Sequence, residues 1–384
     1  MIYFDNSATT KPYKEVIESF VKVSNDYFAN PSSLHKLGGQ AEGLINQARN
    51  QLAQLLNIKP REIYFTSGGT ESNNLAIKGS AMMYKNRGNH IISTTIEHPS
   101  IRESLEQLKG QGFEITYLPV TSEGRINIKE LKESIREETI LVSMIHVNNE
   151  VGSIQPIREV GEILKKYPKI LFHVDHVQGV TKVPLDFHEC GIDLCSISAH
   201  KFHGLKGNGL LFIREGLRIS PLLTGGNQEW TIRSGTENVA GIVAMAKALR
   251  LSTEKMEKEL PNVVNVKKII IEELKKENEI IIHTPFENSA PHILNFSIKG
   301  FKSEVVVHAL EESNIFVSTT SACSSKIKTV SHTLLGMGVD EEIAKSAIRI
   351  SLSFENTDVE ARKVIKALQQ TIQKLGRTMI NNEV

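Results

Sequence analysis

The stretch Cys195-Ser-Ile-Ser-Ala-His-Lys-Phe-His-Gly-Leu-Lys-Gly-Asn-Gly209 decides the fold. An apolar run gives way to small and polar residues, then to His200-Lys201, then to glycines. A second apolar run, Ile170-Leu-Phe-His-Val-Asp-His176, ends on Asp175. Outward from these two lie further runs at 63–66, 90–95, 114–120, 139–147 and 209–214, separated by amphipathic stretches such as 128–136 and 157–167. Near-continuous apolar strands alternating with helices predict an α/β fold built on a mainly parallel seven-stranded sheet covered on both faces. Ligands of such sheets bind beyond the carboxyl ends of the strands. Asp175 and Lys201 both stand at such ends.

Beyond the sheet, a helical stretch over 237–277, interrupted at Pro261, leads the chain away. A strand (292–298), a helix (303–312), strands at 315–319 and 348–353 and a closing helix (358–377) then predict a smaller α+β unit. The expected division is a large domain of residues 16–255 and a small domain of residues 1–15 with 256–384, the latter carrying the segment around Cys323. The 384 residues suit two domains better than one core. A formal net charge of +1 offers no global attraction to nucleic acid or to an acidic membrane surface. No apolar stretch approaches the ~18 residues of a membrane span, and Met1-Ile-Tyr-Phe-Asp-Asn lacks the pattern of a signal peptide. Three cysteines are too few for a disulfide framework. A cytoplasmic protein with reduced thiols is expected.

Several motifs carry chemistry. A lysine closing one buried strand and an aspartate closing another point to pyridoxal 5'-phosphate (PLP), which needs an amine for its aldehyde and an acid at its ring nitrogen. That acid keeps the ring nitrogen protonated, so the ring can draw electrons from a bound substrate. Gln178 is placed to reach the ring oxygen. Thr66-Ser-Gly-Gly-Thr-Glu-Ser-Asn-Asn-Leu-Ala76 runs from a strand into a helix. Its glycines, Gly69 among them, let the backbone close on an anion, and the first helical amides point at it. Thr70 serves there as N-cap or phosphate donor. The absence of a Walker lysine and of the full dinucleotide fingerprint favours a small phosphate ester over a nucleotide.

Glu97-His-Pro-Ser100 follows another strand, with Pro99 suited to a first helical turn. His98 there can stack on a ligand and move protons near neutral pH. In His146-Val-Asn-Asn-Glu150, Asn148 can bond a cofactor hydroxyl or a substrate carboxylate, or simply build a turn. Arg233-Ser-Gly-Thr-Glu-Asn238 offers a second phosphate anchor. Arg349 has the planar fork suited to a carboxylate. His173, Asp175 and His176 do not form a metal set, because consecutive strand residues face opposite sides, which parts His176 from Asp175, and no ligand group elsewhere is evident; no metal is expected. Cys323 stands among small polar residues, whereas Cys190 and Cys195 adjoin an apolar run and read as inert core thiols.

Taken together, these residues resemble the cysteine desulfurases, PLP enzymes of the class V aminotransferase group with the PLP-dependent transferase fold type I. The resemblance runs nearly end to end, through Phe4-Asp-Asn-Ser-Ala-Thr-Thr10, Asn30-Pro-Ser-Ser-Leu-His35, Ser67-Gly-Gly-Thr-Glu-Ser72, Glu97-His98, His146-Val-Asn-Asn-Glu150, His173-Val-Asp175, His200-Lys201, Arg233-Ser-Gly-Thr236, Ser321-Ala-Cys323 and Arg349. It implies that Lys201 carries PLP and later shuttles protons, that Asp175 pairs the ring nitrogen, and that His98 stacks on the ring. It implies that Gln178 contacts the ring hydroxyl. Thr70, Ser198 and His200 grip the phosphate, joined by Thr236 from the partner subunit of a homodimer. Asn148 and Arg349 hold the carboxylate of L-cysteine. Cys323 takes the sulfur as a persulfide, leaving alanine, and passes it to an acceptor protein.

Four departures bear on that acceptor. His176-Val177 replace a small residue and a threonine, and Leu205 replaces a proline. Lys326 and Lys328 follow Cys323 where a proline is usual, and the chain stops soon after its last helix. The pattern looks closer to Gram-positive desulfurases dedicated to one pathway, such as tRNA thiolation, than to those feeding iron–sulfur scaffolds. The competing readings are a selenocysteine lyase or another class V aminotransferase, and a non-catalytic PLP-binding adaptor. Cys323 speaks against an aminotransferase, and the set of Lys201, Asp175 and His98 against an adaptor.

Overall fold

The computed structural model describes residues 1–319 and 330–382, with side chains through residue 374. The strand β1 (Ile2–Tyr3) opens the chain. Then come β2 (Ile63–Thr66), β3 (His90–Thr94), β4 (Glu114–Leu118), β5 (Thr139–Ile145), β6 (Leu171–Asp175), β7 (Leu194–Ser198) and β8 (Gly209–Ile213). These seven form one sheet in the order β2-β8-β7-β6-β5-β3-β4. Strand β8 runs against both of its neighbours, and the remaining pairs are parallel. Each strand expected from the sequence is present, with ends displaced by two residues or fewer.

The strands read as continuous apolar runs because both faces of the sheet are covered. Successive side chains point to opposite faces, and the two apolar clusters divide neighbours accordingly. Ile92, Val142, Phe172, Cys195 and Leu210 enter one cluster. Ile91, Leu141, Leu171, Leu194 and Leu211 enter the other, beneath the helices Gly69–Tyr84 and Pro99–Lys109.

Further along the chain lie β9 (Ile280–Ile282), β10 (Ile293–Ile298), β11 (Ile315–Phe316), β12 (Ser318–Thr319) and β13 (Ala347–Ser351). Four of them make an antiparallel sheet in the order β12-β13-β10-β9, and β1 pairs in parallel with β11. A separate apolar cluster joins Phe4 to Phe296, Ile348, Ile350 and the closing helix through Val364 and Leu368. The first residues of the chain thus belong to the core built from its last third.

The helix Val239–Leu274 ties the two cores together and corrects one expectation. It continues through Pro261 rather than breaking there. Proline removes one amide donor and crowds the preceding turn. On either side, however, Ala244 to Leu249 pack into the first core and Val263 to Leu274 into the second. Tertiary packing of a helical face outweighs local propensity. Among the described residues, no helix is long and apolar enough to cross a membrane.

Candidate active site

Strand β6 delivers Asp175 to the carboxyl edge of the sheet. Next to it, β7 ends in a short 3-10 turn, Ala199–Lys201, that presents His200 and Lys201. Opposite them the helix Gly69–Tyr84 begins. Gly68 adopts a φ of 147°, a region open to glycine. A side chain at Gly69 would bring its Cβ within 2.9 Å of a Val177 methyl. These elements enclose a cavity of about 170 Å³ lined by Gly69, Thr70, His98, Asp175, Gln178, Ser198, His200, Lys201 and Arg349, among others.

Lys201 Nζ donates to the main-chain carbonyl of Ser7 and, at 2.9 Å, to that of Ala8. The N-terminal segment therefore forms one wall, and Gln178 Nε2 binds the same Ser7 carbonyl at 2.9 Å. Asp175 is buried. Its two oxygens accept from Asn73 Nδ2 at 2.8 Å and from the Val177 amide at 3.0 Å. It forms no ion pair among the described residues, so its charge is held by neutral donors.

His98 caps the helix Pro99–Lys109. Its Nδ1 accepts from the Ser100 amide at 3.1 Å and lies 2.8 Å from Ser100 Oγ. An Nδ1 that accepts carries no proton, so the neutral ring carries its proton on Nε2. Burial lowers the His98 pKa; Asp175 acts against that, and Lys201 and Arg102 add to it. His200 is held neutral, its pKa lowered to about 3 by burial first and by Lys201 second, and its Nδ1 sits 3.1 Å from Thr9 Oγ1.

Arg349, on β13, crosses from the second core into the same cavity. Its guanidinium donates to Asn149 O and to Asp5 Oδ1, both at 2.9 Å, while Nε is buried without a partner. The ion pair and the cavity-facing position hold together: Asp5 fixes the fork while leaving it a donor to spare.

The residues fit PLP. One end of the cavity has a helix N-terminus, whose first amides lack intrahelical partners, together with Thr70, Ser198 and His200 for a phosphate. The same cavity holds a buried carboxylate for a ring nitrogen and a primary amine. The unpartnered Arg349 Nε suits a carboxylate ligand.

Two sequence-expected residues stand elsewhere, and a third is not described. Asn148 is fully buried, and its amide is occupied by Ile96 O, Thr333 Oγ1 and the Glu150 and Val151 amides. Its neighbour Asn149 lines the cavity instead. Thr236 lies outside the cavity of its own chain, in a separate depression with Arg233 and Asn208. Cys323 lies outside the described residues. The strand histidines have other partners: His173 bonds Ser143 and Ser196, and His176 bonds His146. Sequence reasoning missed Asn73, Ser100 and the carbonyls of Ser7 and Ala8. The block Phe4–Thr10 carried the signal for the last two, since an apolar-poor Asn-Ser-Ala-Thr-Thr run at a chain start has no helix or strand to build.

The model of the aminotransferase class-V family matches residues 2–364. The chain therefore belongs to the class V aminotransferases. Within them it is 45% identical over 379 residues to a NifS/IcsS protein homolog of Lactobacillus delbrueckii subsp. bulgaricus, covering 98% of each chain. It is 42% identical to the cysteine desulfurase IscS of Dictyoglomus turgidum, covering 97% of this chain and 95% of that one. A solved NifS-like protein superposes with a TM-score of 0.92 at 38% identity, covering 97% of this chain and 99% of the other.

Proposed function

We infer that the protein is a PLP-dependent cysteine desulfurase, converting L-cysteine and an enzyme thiol to L-alanine and an enzyme persulfide whose sulfur passes to an acceptor protein. The observation that carries this reading is the convergence of Lys201, Asp175 and His98 on one cavity with a helix N-terminus at its end. When bound, PLP supplies an electron-withdrawing ring that weakens the bond between carbon and sulfur in the substrate.

The chain's own residues take the following parts. Lys201 holds the cofactor and moves a proton on its Nζ. Asp175 keeps the ring nitrogen charged, with Asn73 and the Val177 amide orienting it. His98 would cover the ring and move a proton through its Nε2, and Gln178 would reach the ring hydroxyl. Gly69, Thr70, Ser198 and His200 surround the phosphate. Arg349 takes the substrate carboxylate, aided by Asn149 rather than by the enclosed Asn148. Cys323 receives the sulfur, for Cys190 and Cys195 have thiol pKa values raised by burial and are poor nucleophiles.

We propose further that residues 16–255 and residues 1–15 with 256–384 act as two domains, and that the protein works as a cytoplasmic homodimer. The exposed Phe28, just before the motif that begins at Asn30, and Leu34, within it, support association. So does the position of Thr236, outside its own chain's cavity. A tRNA-thiolation enzyme is the acceptor favoured by the departures at His176, Leu205 and Lys326.

The test is mass spectrometry of the PLP-loaded protein after exposure to L-cysteine. One added sulfur on Cys323, with alanine released, is expected. Added sulfur on another cysteine alone, or no alanine, overturns the reading. Separate incubation with a purified thiolation enzyme and a purified iron–sulfur scaffold decides the acceptor.

A further inference from the structure

Behind Lys201 lies a second lysine that the reaction does not use. Lys182 is 6% exposed, and its Nζ donates to the main-chain carbonyl of Lys201 at 2.7 Å. It makes no ion pair among the described residues. A buried ammonium without a carboxylate is costly, so this lysine occupies a place that an apolar side chain would fill more cheaply.

The backbone is arranged to put it there. Thr181, the preceding residue, has a φ of 60°, and its buried hydroxyl has no partner. A β-branched residue in the left-handed region is strained, and such strain persists where the surroundings require it. The Lys182 amide is tied back to Gly179 O at 2.9 Å, closing the turn that aims the side chain inward. One connection leaving β6 therefore bears Asp175, then Gln178, then Lys182, and touches both the carboxylate and the lysine of the cavity.

The groups facing Lys182 are bases. His176, His203, His292 and Lys201 all interact with it electrostatically, and the three histidines have pKa values lowered chiefly by burial. His292 lacks a partner on either ring nitrogen. Burial first, and Lys201 second, lower the Lys182 pKa to about 7. A proton gained there is felt by Lys201, and burial and Lys201, not a carboxylate, set the Lys182 pKa.

We propose that Lys182 is a positioning residue for Lys201, fixing the main chain from which the reactive amine projects and making that amine harder to protonate. The inference rests on Lys201 being the cofactor lysine. Its test compares PLP-loaded wild type with Lys182→Met, which loses donor and charge, and Lys182→Gln, which keeps a donor and loses the charge. Three quantities are read: the pH midpoint of the visible band of the lysine-bound cofactor, the rate of PLP loss on dilution, and kcat and KM for L-cysteine.

Both variants are expected to move the midpoint upward by about half a unit or more, since a like charge has been removed. Lys182→Met is expected to lose PLP faster and to lower kcat about tenfold with KM little changed, a loss of about one well-placed hydrogen bond. Lys182→Gln restores kcat and cofactor retention. Should Lys182→Met fail to fold, the midpoint of Lys182→Gln decides. Wild-type midpoints and wild-type kcat in the variants that fold overturn the inference while leaving the function standing. A wild-type protein that takes up no PLP overturns both.

Discussion

Asp175 and His98 share no direct bond, yet two side chains join them. Asn73 Nδ2 donates to Asp175 at 2.8 Å and to Ser100 Oγ at 2.9 Å, and Ser100 Oγ lies 2.8 Å from His98 Nδ1. The amide has two hydrogens, one for each acceptor. The serine, having accepted one, has its own proton left for the imidazole. The carboxylate proposed to serve a ring nitrogen and the imidazole proposed to cover that ring are thereby oriented as one unit. Ser100→Ala is expected to lower kcat about fivefold, the worth of a hydrogen bond of roughly 1 kcal/mol. Asn73→Ala removes two bonds and is expected to cost more, with weaker PLP retention. Steady-state rates and PLP content check both, and wild-type kinetics in Asn73→Ala would count against the linkage.

Arg349 is the group through which the second core reaches the cavity. Its fork is fixed by Asp5 and Asn149, with Nε left over. Arg349→Lys keeps the charge and loses the planar fork. Its KM for L-cysteine is expected to rise about tenfold to a hundredfold with a smaller fall in kcat, because the lost bonds are charge-assisted. Initial rates across cysteine concentrations measure this, and an unchanged KM would remove Arg349 from the substrate site.

The Asn148-Asn149 pair separates a structural asparagine from a functional one. Asn148 holds the turn through the Glu150 and Val151 amides, each at 2.9 Å, and reaches Thr333. Asn148→Ala is expected to lower stability by about 2–3 kcal/mol, since several buried groups lose partners, and to depress activity only as the fold loosens. Asn149→Ala is expected to leave stability unchanged and to raise KM. Denaturant unfolding beside steady-state kinetics distinguishes the two, and the reverse pattern would restore the assignment that the motif first invited.

That pair also marks how far the sequence could be read. Most strands of the large sheet were legible because burial on both faces makes them near-continuous apolar runs, as in Thr139–Ile145, while the edge strand β4 is only partly buried. The residues at their carboxyl ends, Asp175 and Lys201, were legible because polar chemistry there interrupts such a run. β1 and β9, with two and three residues, are too short to carry a period. Pro261 misled because propensity is local, whereas the helix it sits in is held by two distant cores. Asn73 and Ser100 lie 27 positions apart and meet only when two helices converge on the sheet edge. No spacing rule anticipates such a meeting.

Glu97, next to His98, gives the stability of the protein a pH dependence of its own. It is buried, with Oε1 accepting from Thr94 Oγ1 at 2.6 Å and from the Ile145 amide at 3.0 Å, while Oε2 has no partner. Burial raises its pKa from the ordinary 4.5 to about 8, with the Thr94 and Ile145 hydrogen bonds working in the opposite direction. A proton held more tightly in the folded state contributes stability that is complete below the unfolded value and is lost as pH rises through the folded one. Wild type is therefore expected to lose stability between about pH 5 and pH 9, by roughly 4 kcal/mol at this one site. Glu97→Gln cannot ionise, so its unfolding free energy should gain on that of wild type by a similar amount over the same range. Urea unfolding at several pH values measures the difference, and parallel curves for the two proteins would mean that Glu97 is ionised in the fold at neutral pH.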